Sequence, residues 1–422
     1  MKRNRSLFAG AAALVVLAAC SDDRTTGPAG QDAFKTYVAI GTSLSMGVQS
    51  DGVVYFSQQH DWTKLLSHQA FAQFSQPLVA APGCFSPLIA PLQLSRRLSG
   101  ISATANQTTS TADTACTTLG AVTLPTNDVA IDGANSYDAL RVTPETAAVD
   151  GVKRRRQYRL VLPPKTSQVT AMMQQKPTLV SVELGSNEVL GVTTGLMLPG
   201  AAYRTPFTFV PNAVWQPVYA QVLDSVKKTG AKVVLVGVPN VSNIVSFRTG
   251  DELWQNRAEF ANFGVLINAD CQANANLIFV PIKVATAVGT AQATGTAFNL
   301  SCTDSPGTQD QILTPADVAT ITAVVGGMNS FIQSQASANG WAYFDLNTVL
   351  AKAVANRGAY SVVKQLSCVR PYGQYVSLDG VHPNADGYQE VANAAADALN
   401  TTYGFAIPTN PVSVLTPAQV CP

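Results

Sequence analysis

Five short, nearly continuous apolar runs constrain the fold of this 422-residue chain most. They are Tyr37–Ile40, Thr178–Leu184, Lys232–Val238, Leu277–Ile282 and Trp341–Asp345. A strand covered on one face alternates apolar and polar side chains, whereas a run that stays apolar suits a strand buried on both faces of a parallel sheet. Helical stretches lie between the runs. Residues 211–229 carry apolar positions at helical spacing and stop at Gly230. Residues 313–337 open with Thr314 as an N-cap and Pro315 at the first helical position. Residues 384–400 are Ala-rich and amphipathic. This alternation predicts an α/β fold built from βαβ units, a doubly wound sheet with its strand C-termini along one edge. Ligands of such sheets bind along that edge.

Residues 84–165 break the pattern. They are dense in Thr, Ser, Ala and Leu, hold two Cys and end near the basic run at 153–156. The stretch is too long for a simple loop and reads as an insertion over the active-site edge. It serves either as a lid or pocket wall, or as a surface elaboration. The basic run suits a solvated face, or anionic lipid heads.

The N-terminus addresses the compartment. Lys2, Arg3 and Arg5 precede an uncharged apolar stretch, Leu7–Ala19, that is too short to span a bilayer. Cys20 follows Leu17-Ala18-Ala19 and resembles the lipidated Cys of a bacterial lipobox. Residues 1–19 thus read as a lipoprotein signal peptide, 20–35 as a flexible tether, 36–405 as the main domain and 406–422 as a tail. Ser21, rather than Asp, after the Cys favours an outer-membrane anchor in the bacterial cell envelope. The formal net charge is +1, or −2 once the three basic residues of the signal are removed, which leaves no electrostatic footprint for nucleic acid. Besides Cys20 there are six Cys, at 84, 116, 271, 302, 368 and 421. An even number in an oxidising compartment suggests three disulfides, and six Cys allow about 15 pairings. Nearest-neighbour pairing is one of them and would staple loop-rich stretches. No Cys-x-x-Cys or Cys/His cluster points to a metal, and no cofactor is expected.

Ser43 follows the first apolar run through Gly41-Thr42, where a nucleophile would sit in an open α/β sheet. A serine needs a base, and the base needs an acceptor that fixes its tautomer. The chain has three His. His60 and His68 lie beside Trp62, Leu65 and Leu66 and read as packing or surface residues. His382 remains as the base, with Asp379 three residues before it on one loop. Asn384 or Asp386 would cap the helix that follows and hold this loop still. Asn187, at the end of the second apolar run, offers an amide donor for an oxyanion, and Gly83 offers a backbone N–H.

These segments, in this order, resemble the blocks of the SGNH hydrolases, the GDSL-like lipases and esterases. The resemblance spans about residues 36–400 and implies a three-layer α/β/α sandwich around a parallel, flavodoxin-like sheet. It implies ester hydrolysis without a metal, by Ser43, Asp379 and His382, with an oxyanion hole of the Ser43 N–H, the Gly83 N–H and the Asn187 side chain. Thr42 stands where the family has the Asp of Gly-Asp-Ser-Leu, and Glu188 where it has the second Asp of Gly-x-Asn-Asp. An α/β-hydrolase would show Gly-x-Ser-x-Gly, which Ser45 breaks, and a trypsin-like enzyme would run His, Asp, Ser.

Three functions follow. The first is a lipid-anchored esterase or lipase acting on acyl or acetyl esters of lipid or glycan. The second is an acyltransferase using the same residues. The third is a surface-binding lipoprotein without turnover, against which the retention of Ser43, Asp379, His382 and Asn187 argues.

Overall fold

The computed structural model describes residues 29–104, 116–149 and 155–421. The signal segment, Cys20, most of the tether and Lys153–Arg154 of the basic run lie outside the described residues.

Four of the five apolar runs form one parallel sheet, in the order β1 (Tyr37–Ile40), β2 (Leu179–Val182), β3 (Lys232–Val236) and β4 (Ala342–Phe344). Their side chains alternate between two apolar layers. Val38, Ile40, Val180, Val182, Val233 and Leu235 face one layer, which holds Trp215, Tyr219 and Val222 of the helix Asn212–Lys227 and Ile321, Val325 and Met328 of the helix Pro315–Asn339. Tyr37, Ala39, Leu179, Val234 and Val236 face the other layer, with Trp62 and Leu66 of the helix Trp62–Gln69 and Tyr388, Val391 and Ala395 of the helix Ala385–Tyr403. The chain is therefore an α/β/α sandwich with the parallel core that its sequence predicts. The helix starts follow from local chemistry. Thr314 and Asp317 form a capping box around Pro315, and Asn384 accepts from the N–H groups of Asp386 and Gly387.

The fifth run differs from expectation. Only Leu277–Phe279 is a strand, and it runs antiparallel to Phe247–Thr249 and Ile312–Leu313 in a small separate sheet. Pro281 is the reason. It lacks an N–H and has φ preset for a first helical turn, so the helix Val280–Thr294 begins inside the apolar run.

The long excursion between β1 and β2 contains the sheet's missing edge. Residues 127–131 run parallel beside β1: Ala39 N–H donates to Asn127 O (2.9 Å), Val129 N–H to Ala39 O (3.0 Å) and Ile131 N–H to Gly41 O (3.2 Å). Counting this segment second in chain order, the sheet reads 2-1-3-4-5, the flavodoxin-like order. The stretch from about 84 to 165 is thus a large insertion that returns to the sheet in its middle. Disulfides join Cys84 to Cys116, Cys271 to Cys302 and Cys368 to Cys421, the nearest-neighbour pairing. Among the described residues, no helix is long and apolar enough to cross a membrane.

Candidate active site

The β1 strand ends at Ile40, and Gly41-Thr42 turn the chain into the short helix Ser43–Met46. Ser43 is its first residue and is 5% exposed. It lies at the C-terminal edge of the sheet, where the topology collects the strand ends.

The loop from Ser377 to Asn384 arrives at the same edge from the far end of the chain. It folds back on itself because Gly380 has φ +74° and because Ser377 N–H donates to His382 O at 2.8 Å. A side chain at Gly380 would meet Cβ of Ser246 at 2.7 Å, so the turn requires glycine twice over. The outcome is a hydrogen-bonded line. His382 Nε2 is 2.9 Å from Ser43 Oγ, and His382 Nδ1 is 2.7 Å from Asp379 Oδ2.

Asp379 is densely held. Oδ1 accepts from Val381 N–H (2.8 Å), His382 N–H (2.9 Å) and Ser377 Oγ–H (3.2 Å), and Oδ2 also accepts from Asp51 N–H (2.6 Å). Burial opposes its charge, but His382 and these donors outweigh burial and bring its carboxyl down to about 2. Burial also opposes a charged His382, yet the Asp379 carboxylate, with Asp132 and Asp51 nearby, raises the imidazole above its ordinary value. The pair suits an imidazole that accepts a proton from Ser43 and is stabilised once charged. Tyr388, at the start of the helix Ala385–Tyr403, donates its hydroxyl to Val48 O at 2.6 Å and ties the His382 loop's helix to the segment after Ser43.

Asn187 follows β2 in the turn Gly185–Glu188, and its Nδ2 donates to Ala134 O at 2.8 Å. The amide nitrogen carries a second hydrogen for another acceptor. Glu188 turns inward instead of lining the site: its Oε1 accepts from Ser136 N–H (2.7 Å) and Tyr203 O–H (2.9 Å).

Gly83 does not take the expected position. Its N–H is donated to Ala80 O at 2.9 Å within a turn, and its Cα packs where a side chain would meet Val53 O at 2.5 Å. The glycine at the sheet edge is Gly133, two residues after Ile131, which bonds Gly41, and one before Ala134, which bonds Asn187. It has φ +77°, and neither its N–H nor that of Ser43 has a protein acceptor among the described residues. The sequence signal for it was Asp132-Gly133-Ala134 behind the short apolar run Val129–Ile131. His60 and His68 are exposed, and His60 Nδ1 meets Phe56 O. Among the described residues, no group of three or more His, Cys, Asp or Glu is arranged to hold a metal ion.

A model of the GDSL-like lipase/acylhydrolase family matches residues 37–395, from the first residue of β1 to within the last long helix. No curated protein matches the chain.

Proposed function

We propose that this chain, which belongs to the GDSL-like lipase/acylhydrolase family, hydrolyses carboxylic esters through an acyl-enzyme on Ser43. The observation that carries the reading is the line from Ser43 Oγ through the two nitrogens of His382 to Asp379, at 2.9 and 2.7 Å. In this reading His382 Nε2 takes the Ser43 proton as Oγ attacks the ester carbonyl. Asp379 orients the imidazole and stabilises its charged form. The N–H groups of Ser43 and Gly133 and the amide of Asn187 hold the tetrahedral oxyanion. The alcohol leaves with the proton from His382. Water, deprotonated by His382, then attacks the acyl carbonyl and frees Ser43 and the carboxylate.

The substrates we propose are acyl or acetyl esters of lipid or glycan. A panel of short-chain and long-chain nitrophenyl esters, with and without added alcohols, tests this. Release of free acid by wild type and its loss in Ser43→Ala are expected; transfer of the acyl group to the alcohol in place of hydrolysis would make the enzyme an acyltransferase.

The proposal extends to export and lipid anchoring at Cys20 in the bacterial outer membrane. Three disulfides fit an oxidising compartment, and Leu17-Ala18-Ala19-Cys20 supplies the lipid acceptor. Metabolic palmitate labelling of wild type and not of Cys20→Ala is expected; equal labelling of both contradicts the anchor.

A further inference from the structure

Glu183 is the first residue beyond β2 and is 2% exposed. Parallel pairing sets Ile40 beside Val182, and Glu183 N–H donates to Ile40 O at 3.0 Å, so Glu183 lies against the start of the Ser43 turn. Its Oε2 accepts from Thr42 N–H (2.9 Å) and Ser45 Oγ–H (3.1 Å), the Thr42 hydroxyl lies 2.9 Å from both carboxylate oxygens, and Ser186 Oγ reaches Oε1 at 3.4 Å. The turn closes tightly over it. A side chain at Gly41 would stand 2.3 Å from Ser45 Oγ and 3.1 Å from Glu183 Oε2. Among the described residues, no Lys or Arg nitrogen pairs with this carboxylate.

A buried carboxylate without a cation is costly, and a smaller apolar residue would fill the space with less penalty. What the carboxylate adds is acceptor capacity: several donors drawn to one point from the residues on either side of Ser43. We propose that Glu183 is a positioning residue, whose carboxylate gathers the N–H and hydroxyl of Thr42 and the hydroxyl of Ser45 and so fixes the turn that aims Ser43. Thr42 is the position at which the family pattern carries Asp, and in this chain a carboxylate reaches the same turn from the neighbouring strand. The inference rests on Ser43 being the nucleophile.

Burial pushes the Glu183 carboxyl up to about 7, with the Thr42 and Ser45 bonds opposing. The ionisable groups that face it are Asp128 on the edge segment, Tyr219 on the helix Asn212–Lys227 and Tyr388 on the helix Ala385–Tyr403. The phenols of Tyr219 and Tyr388 and the carboxyl of Asp128 all have raised values, the phenols staying neutral through the neutral range. The protonated acid loses acceptor capacity, so Glu183→Gln imitates the low-pH form of the wild type.

The test is the ratio of wild-type to Glu183→Gln kcat on nitrophenyl acetate, from about pH 5 to about pH 9. Toward high pH the variant is expected to be about 10- to 100-fold slower, with KM within about twofold. The ratio should close toward one as pH falls below about 7, because His382 cancels in it and Glu183 does not. A ratio that stays flat with pH, or wild-type turnover in the folded variant, overturns the proposal. Should Glu183→Gln not fold, Thr42→Val is measured in the same way: slowing of about 3- to 10-fold that fades at low pH is expected, and unchanged kcat overturns. A fluorophosphonate probe separates the two levels. Failure of wild type to label beyond Ser43→Ala defeats the ester-hydrolase reading itself, whereas a labelled wild type with a flat ratio defeats the role of Glu183 alone.

Discussion

The backbone N–H of Asp51 donates to Oδ2 of Asp379 at 2.6 Å. Ser50 reinforces the contact, its N–H donating to Ser377 Oγ at 2.8 Å and its hydroxyl accepting from Leu378 N–H at 3.3 Å. The Asp51 side chain is in turn paired with buried Arg97 at 2.8 Å, and Arg97 also donates to Ser86 O and Ala103 O. The long excursion after β1 is thereby fastened to the carboxylate that is hydrogen-bonded to His382.

Arg97→Ala takes a cation from Asp51 and a donor from each of two loop carbonyls. We expect a loss of about 2–4 kcal/mol of stability and a fall in kcat as Asp379 loosens. Thermal melts and kcat on nitrophenyl acetate check this. Arg97→Lys should recover part of each, because an ammonium cannot span the same three acceptors with a planar fork. Full activity in Arg97→Ala would separate the excursion from the chemistry.

The acid limb of kcat/KM should lie above about pH 6.5, because only neutral His382 accepts the proton and Asp379 raises its pKa. Asp379→Asn removes the charge that raises it. The part of the limb set by His382 should then move to lower pH, the part set by Glu183 staying near 7, while kcat drops by about 10³- to 10⁴-fold. Stability follows the opposite signs of the two shifts. The share from Asp379 is present above its unfolded value near 4 and is lost as pH falls toward about 2. The share from His382 is present below its unfolded value and is lost as pH rises through its raised one. pH–rate profiles and acid unfolding of the two proteins measure both.

Asn187→Ala should lower kcat by about 10²- to 10³-fold with little change in KM, since the role proposed for its amide is to hold charge that develops only in the transition state. It also frees Ala134 O, so a small loss in melting temperature accompanies the kinetic effect. Steady-state kinetics on a short-chain ester tests it, and a change confined to KM would assign Asn187 to ground-state binding.

Glu183 connects function to stability. Its carboxyl holds a proton more readily in the folded chain, at about 7, than in the unfolded chain near 4.5. Wild-type stability therefore falls as pH rises through that window. Glu183→Gln carries no such penalty and is expected to be more stable than wild type by up to about 3 kcal/mol near pH 8, with the difference shrinking to about 1 kcal/mol near pH 5. Denaturant melts at the two values decide it. A variant that is more stable and slower is the pattern of an active site held against the stability optimum.

Much of the fold was legible in the sequence because the central strands are buried on both faces, and Val180–Val182 or Val233–Val236 read as apolar runs without help from context. Ser43, Asp379 and His382 stood out for local reasons: a strand end, an i to i+3 spacing and a single unassigned His. The parts that escaped depend on partners. Residues 127–131 have one neighbouring strand and begin with Asn127-Asp128, so their periodicity is weak, and only pairing with Ala39 and Gly41 identifies them as the sheet edge. Without that pairing Gly83 and Gly133 look alike, each a glycine behind a short apolar stretch. Pro281 hid a helix start inside an apolar run. Glu183 read as the end of a strand, since nothing in its own segment shows that Thr42 and Ser45 point at it from β1's side.

The central claim is that Ser43 is the nucleophile. Intact-mass measurement of the full chain after fluorophosphonate treatment, followed by peptide mapping, tests it most directly. We predict one adduct per chain, on the peptide that contains Ser43, lost in Ser43→Ala and strongly slowed in a variant lacking the His382 imidazole. No adduct on wild type, or an adduct that persists unchanged in Ser43→Ala, would contradict the account.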